Sequence, residues 1–194
     1  MSAISSVRSQ EYQAKLGFAL FLVSLGVFFI ASLVAFLVIR FTVGSQRTLP
    51  WDSLPWGLAI STLAVIGVSV ALHQAVLGVR RERQRRFRVG LGVAILLACV
   101  FLLFQGQGLA HLLASHAQDL AKSGGQLHGL MFALVLVHAL HVVGGMIALA
   151  VVTARASRNA YDHEKYWGVE LCAGYWHFLD GVWIAMLAVF LISR

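Results

Sequence analysis

Charge is scarce in this sequence. Of its 194 residues, 12% are Asp, Glu, Lys or Arg, while 59% are hydrophobic and the mean hydropathy is +0.81. Soluble domains carry about 25% charged residues, so neither a water-soluble fold nor a disordered chain fits this balance. Cysteine is equally scarce: Cys99 and Cys172 lie in or at the end of apolar runs, with no CxxC, CxxCH or Cys/His ligand spacing. That gives no footing to a disulfide framework, a zinc site or an attached c-type haem. Two prolines exclude a collagen-like chain. Motifs for self-contained chemistry are also missing: there is no GxSxG, HExxH, Walker loop or GxGxxG, and no cysteine pair for copper or iron–sulfur ligation.

What is present is apolar sequence in long runs. A hydrocarbon core about 30 Å thick takes roughly 20 residues of helix to cross. Five segments meet that length: Leu16 to Ile39, about Trp56 to Gly78, Val89 to about Leu113, about Leu127 to Val152, and Val169 to Ile192. Apolar residues surround each segment rather than forming one stripe, as lipid-facing and bundle-buried helices require. The expectation is an all-α polytopic membrane bundle of five transmembrane helices, a single domain over residues 1–194. The first segment is too long for a signal-peptide core and is read as a retained helix. Short connections predict that consecutive helices are antiparallel neighbours.

The basic residues set the expected orientation. Arg80, Arg81, Arg83, Arg85, Arg86 and Arg88 crowd between the second and third runs. Such a loop normally faces the cytoplasm and anionic headgroups rather than nucleic acid. With the N-terminus inside, the inner side holds eleven Lys and Arg residues, and the outer side holds Arg40, Arg47, Lys122 and Arg194. The expectation is N-inside, C-outside.

Ionisable groups in hydrocarbon are costly, so their positions are the best pointer to function. Asp180 sits near the middle of the fifth run, which also carries Glu170 and His177; His128, His138 and His141 interrupt the fourth. His138 and His141 are three residues apart, as are His177 and Asp180, so each pair shares a helical face. At 1.5 Å rise per residue all four fall in one layer, within roughly 5 Å of midplane depth. The expectation is a midplane polar cluster across helices four and five that clamps them together. A proton or substrate path, or a metal or haem site using His73, His138, His141 or His177, remains the alternative chemistry.

Gly144 and Gly145, with Ala148 one turn on, allow close helix approach beside this layer. Trp51, Trp56, Tyr166 and Trp167 read as interfacial belt residues. Trp176 and Trp183, too deep for a belt, read as packing residues sharing a face with Asp180. Gln105, Gln107, His111 and His116 mark the outer end of the third run, where the histidines read as solvated or headgroup contacts.

Two stretches carry a family resemblance. His138-Ala139-Leu140-His141-Val142-Val143-Gly144-Gly145 resembles the HGLHVxxG signature of haem–copper oxidase subunit III, the cytochrome c oxidase subunit 3-like family. Tyr175-Trp176-His177-Phe178-Leu179-Asp180-Gly181-Val182-Trp183 resembles that family's YWHFxDxVW signature, in the same order and spacing. Weaker similarity covers Lys15-Leu16-Gly17, Leu20-Phe21-Leu22, Ser24, the basic loop and Gln105. The match is to the five-helix form.

The resemblance implies a non-catalytic subunit of a proton-translocating respiratory oxidase in the bacterial plasma (inner) membrane, serving aerobic electron transport to dioxygen. It implies no cofactor or metal in this chain, with haem and copper in partner subunits. The implied partners are catalytic subunit I, subunit II and phospholipids, the lipid lying in a cleft between helix groups; no nucleic acid is implied. His138, His141, Trp176, His177 and Asp180 are the matching motif positions, expected to brace the bundle beside lipid. A quinol oxidase or nitric oxide reductase component is the close variant, and a five-helix haem b membrane anchor the rival of another class. The chain departs from the family at Leu25 and Gly108, where many members carry glutamate, at Ala139 between the histidines, and at Gly181.

Overall fold

The computed structural model describes residues 2–42, 56–120, 126–158, 161 and 166–192, with side chains over 10–42, 59–110, 129–158, 161 and 166–192. Five helices account for almost all of them: α1 (Ser2–Thr42), α2 (Trp56–Arg80), α3 (Gln84–Leu120), α4 (Gln126–Ser157) and α5 (Trp167–Ile192). Each contains a stretch long and apolar enough to cross a membrane. The fold is therefore the expected all-α polytopic bundle of five transmembrane-length helices. At 1.5 Å per residue α1 is about 60 Å long, twice the hydrocarbon thickness. Both prolines, Pro50 and Pro55, fall between α1 and α2, so no helix interior loses a backbone donor to proline.

The helices do not all neighbour their sequence neighbours. Helix α2 packs on α3 and α5, α3 on α4, and α4 on α5, closing a ring of four. Helix α1 stands outside that ring in the groove between α4 and α5, and among the described residues it makes no packing contact with α2. The expectation that consecutive helices are adjacent thus fails for the first pair. The physical reason is the surface on offer: Leu25, Phe29, Leu33 and Phe36 of α1 are buried against Met131, Leu134, Val182, Met186 and Phe190 of α4 and α5. Helix α2 already has its inward residues on α3 and α5.

The α2–α3 pair is held by backbone proximity. A Cβ on Gly78 would stand 2.8 Å from the Phe87 backbone nitrogen, and one on Gly90 3.0 Å from the Ala71 carbonyl oxygen. The turn between them, Arg81 to Arg83, closes α2 with paired bonds: Arg83 N–H donates to Gly78 O (2.9 Å) and Glu82 N–H to Val79 O (3.2 Å). This is the Schellman arrangement, and it places Glu82 at the left-handed position (φ 56°) where glycine is usual. Tyr161 tucks beneath that turn, edge-on to Phe87 at 6.2 Å. The C-terminal end of α2, the N-terminal end of α3 and Tyr161, which precedes α5, therefore lie together at one end of the bundle.

Candidate functional site

The polar side chains on the inner faces form three separate sites, stacked along α5. The first lies at the end of the bundle that carries the arginine run. Glu170, in the first turn of α5, pairs with Arg80 of α2 and lies 3.5 Å from Lys15 of α1. Lys15 is also 2.7 Å from Glu11, one turn earlier on its own helix. The Arg80 guanidinium lies over the Tyr166 ring, 5.5 Å from its centroid. Tyr166 begins the α5 turn, its carbonyl accepting from Val169 N–H (2.8 Å) and Glu170 N–H (3.2 Å). One carboxylate near a helix N-terminus, where the dipole favours it, thus joins two helices that do not touch each other. The sequence reading noted Glu170 only as a polar interruption; its place in the first turn of α5, with Lys15 and Arg80 at matching depths, was the available signal.

The second site is at mid-depth between α2 and α5. The Ser69 hydroxyl donates to Asp180 Oδ2, and His177 Nδ1 lies 2.6 Å from Ser69 Oγ. Because the Ser69 proton is engaged by the carboxylate, the His177 ring donates through Nδ1–H to Ser69 Oγ. Asp180 is buried, with Oδ1 unpaired among the described residues, while His177 is exposed on the bundle surface. One turn on, Trp183 Nε1–H donates to Thr62 Oγ1 of α2 at 3.1 Å.

The third site surrounds His138. Its ring is fully buried and stacks on Trp183 (5.7 Å between centroids, 25° between planes), with Phe29 and Phe101 edge-on at 6.3 and 6.5 Å. Four helices, α1, α3, α4 and α5, each contribute one ring. Neither ring nitrogen of His138 has a partner among the described residues. His141 lies beside it against the same Phe29 ring (5.6 Å), its Nδ1 bonded within α4 to the Val137 carbonyl at 2.8 Å.

The four groups expected to share one cluster thus have different partners. His177 and Asp180 face α2 and bond to Ser69, whereas His138 and His141 face aromatic rings from α1, α3 and α5. Depth and facing read along α4 and α5 could not reveal this, because α2 lies against the same length of α5.

The α4–α5 contact itself is made by backbone acceptors. Trp176, fully buried, donates Nε1–H to Gly145 O (3.2 Å), and the Tyr175 hydroxyl donates to His141 O (3.1 Å). A Cβ on Gly145 would lie 3.2–3.3 Å from Leu179, Trp176 and Tyr175, and one on Gly144 3.7 Å from the Tyr175 hydroxyl. Absence of a side chain at position 145 is what lets the indole reach the carbonyl. Leu25 is buried in the α1–α4–α5 cluster, so the apolar residue there is well placed; Gly108 faces open space. Of the remaining sequence candidates, Trp167 is exposed and Tyr166 half-buried, while Trp51 and the side chains of Trp56, His111, His116 and His128 lie outside the described residues. Among the described residues no three His, Cys, Asp or Glu side chains converge as a metal site.

Residues 7–193 match the family model for cytochrome c oxidase subunit III. Cytochrome c oxidase subunit 3 of Pylaiella littoralis is 30% identical over 182 residues, covering 88% of this chain and 63% of that protein. A probable cytochrome c oxidase subunit 3 of Mycobacterium leprae (strain TN) is 30% identical over 134 residues, covering 69% and 64%. A probable quinol oxidase subunit 3 of Staphylococcus haemolyticus (strain JCSC1435) is 30% identical over 138 residues, covering 69% and 66%. The chain spans under two thirds of the length of the first two relatives.

Proposed function

The chain belongs to the cytochrome c oxidase subunit III family, and from that premise we propose that it is a non-catalytic, bracing subunit of a respiratory haem–copper oxidase. It sits in the bacterial inner membrane with its N-terminus and arginine run on the cytoplasmic side. Its partners are the catalytic subunit, which carries haem and copper, and subunit II. The complex passes electrons to dioxygen and moves protons.

The observation that carries this reading is how α5 uses its polar side chains. Glu170, Tyr175, His177 and Asp180 each bond to a neighbouring helix. Bonds of this kind between membrane helices are worth about 0.6–2 kcal/mol each, enough to fix the helix order but directed at no reactant. His138 has the chemistry of a haem ligand, yet protein rings flank it at contact distance, which supports bracing over the haem b anchor. Family relatives that include a quinol oxidase subunit keep quinol as the second reading of the electron donor.

The test is purification of the full chain from its own membrane in mild detergent. Haem-bearing oxidase subunits are expected to co-isolate with it, and the chain separated from them is expected to show no reduced-minus-oxidised haem band. A haem band in the separated chain overturns the reading. A reporter fused after Arg194 is expected on the outer side.

A further inference from the structure

His177 is left partly unmatched by its own bundle. It lies ten residues inside the Trp167 end of the 26-residue α5 span, about 15 Å along the helix, and its side chain is exposed. His73 of α2 is exposed as well and lies within electrostatic range of His177. The two sit at one depth, since each is seven residues from its own helix's member of the Arg80–Glu170 pair. His73 makes no hydrogen bond among the described residues. His177 gives its Nδ1–H to Ser69, so in the neutral ring Nε2 is left as an acceptor at the bundle surface. Acyl chains can neither donate to that nitrogen nor pair with His73, and polar groups left unpaired in hydrocarbon are costly.

Further along α5 the same face turns small. Positions 177, 181 and 185 recur every four residues and are all exposed, and they hold His177, Gly181 and Ala185. Nothing stands within 4 Å of where a Gly181 Cβ would be, so packing inside this chain gives no reason for glycine there, in contrast to Gly145. Gly181 is also one of the positions at which the chain departs from its family. Small residues four apart let a second helix backbone come close, and exposed Ile66 of α2 and Ile184 of α5 supply apolar surface on either side.

We propose that this α2–α5 face docks a transmembrane helix of another oxidase subunit, which crosses α5 at Gly181 and presents a hydroxyl or amide side chain to the two histidines. Such a group can give a hydrogen to His177 Nε2 and take one from His73. The oxidase role is the premise; the face used and the chemistry met there are what the geometry adds. A second copy of this chain is the poorer occupant, because a twofold axis along the membrane normal would set one Nε2 acceptor against another.

The test uses the assembly that co-isolates with the tagged full chain in mild detergent. A benzophenone amino acid at Ile184 is expected, on illumination, to join a membrane-spanning segment of another oxidase subunit, with a hydroxyl or amide side chain within a turn of the joined residue. Joining to lipid alone, or to a second copy of this chain, overturns the site. Gly181→Leu should cut the oxidase subunits retained per chain about tenfold, because it overpacks the crossing. Its side chain meets open space within this chain, so the separated variant should unfold at the wild-type midpoint. His73→Leu removes one interhelical bond and should cut retention about threefold. Gly92→Leu, equally open but on α3, should change neither. Equal retention by the Gly181 and Gly92 variants overturns the site while the oxidase reading stands. A wild-type isolate without oxidase subunits overturns both.

Discussion

Helices α2 and α1 enter the same bundle by opposite means. Helix α2 meets α3 through backbone: Gly78 and Gly90 bring the two chains within 3 Å of where a Cβ would stand, and a three-residue turn joins them. Helix α1 meets α4 and α5 largely through rings, Phe29 and Phe36 interdigitating with His138, His141 and Phe190, and its outer face remains apolar and exposed. A pair that is local in sequence can rely on shape, because its turn already fixes its register. A helix docked at long range needs specific contacts to fix rotation and depth, and for α1 those include the Lys15–Glu170 pair.

Substitutions can break this contrast, the largest effect falling on α2. Gly78→Ala forces a methyl against the Phe87 backbone, and overpacking of that kind costs about 3 kcal/mol; Gly17→Ala on α1, with nothing near its Cβ, should be neutral or slightly stabilising. Thermal unfolding in detergent, followed by circular dichroism, compares the two, and an equal loss would remove the distinction between the helices. Asp180→Leu leaves the Ser69 hydroxyl, and through it the His177–Ser69 bond, without its acceptor and should cost about 1–2 kcal/mol of bundle stability. Asp180→Asn, which keeps an acceptor oxygen, should cost less. In an assembled oxidase both should retain first-turnover activity, and loss of that turnover would make Asp180 a reagent.

Glu170→Gln should weaken the hold of α5 on both α1 and α2 by about 1 kcal/mol, the scale of an exposed ion pair. High salt should weaken the wild type in the same direction. A double-mutant cycle with Lys15→Met isolates the part that belongs to α1. Glu82→Gly has the smallest expected effect: relief of the left-handed backbone should stabilise the α2–α3 turn by about 0.5–1 kcal/mol. Unfolding midpoints that did not rise would show that the Glu82 side chain repays its backbone strain.

The five spans were legible in the sequence because membrane insertion is decided by length and hydropathy, both properties of a contiguous segment. The motif stretches on α4 and α5 marked a region in which Trp176, His138 and Asp180 are buried and close-packed, since their polarity in an apolar run cannot be accidental. Partners were not legible. Ser69 is 111 residues from Asp180 and looks like any serine in an apolar helix. Periodicity assigns a face and a depth, but which helix lies across that face depends on how five helices share their surfaces.

The sequence by itself determined that this chain crosses the bilayer five times and that a few ionisable groups are held within it, because the energy of placing each segment in hydrocarbon is nearly independent of the others. Only the tertiary structure decided that Asp180 answers to α2, that His138 is enclosed by rings from three other helices, and that Glu170 ties α1 to α2. Those pairings depend on the ring closed by α2 through α5 and on α1 docking outside it, a choice made by side-chain fit among helices remote in sequence.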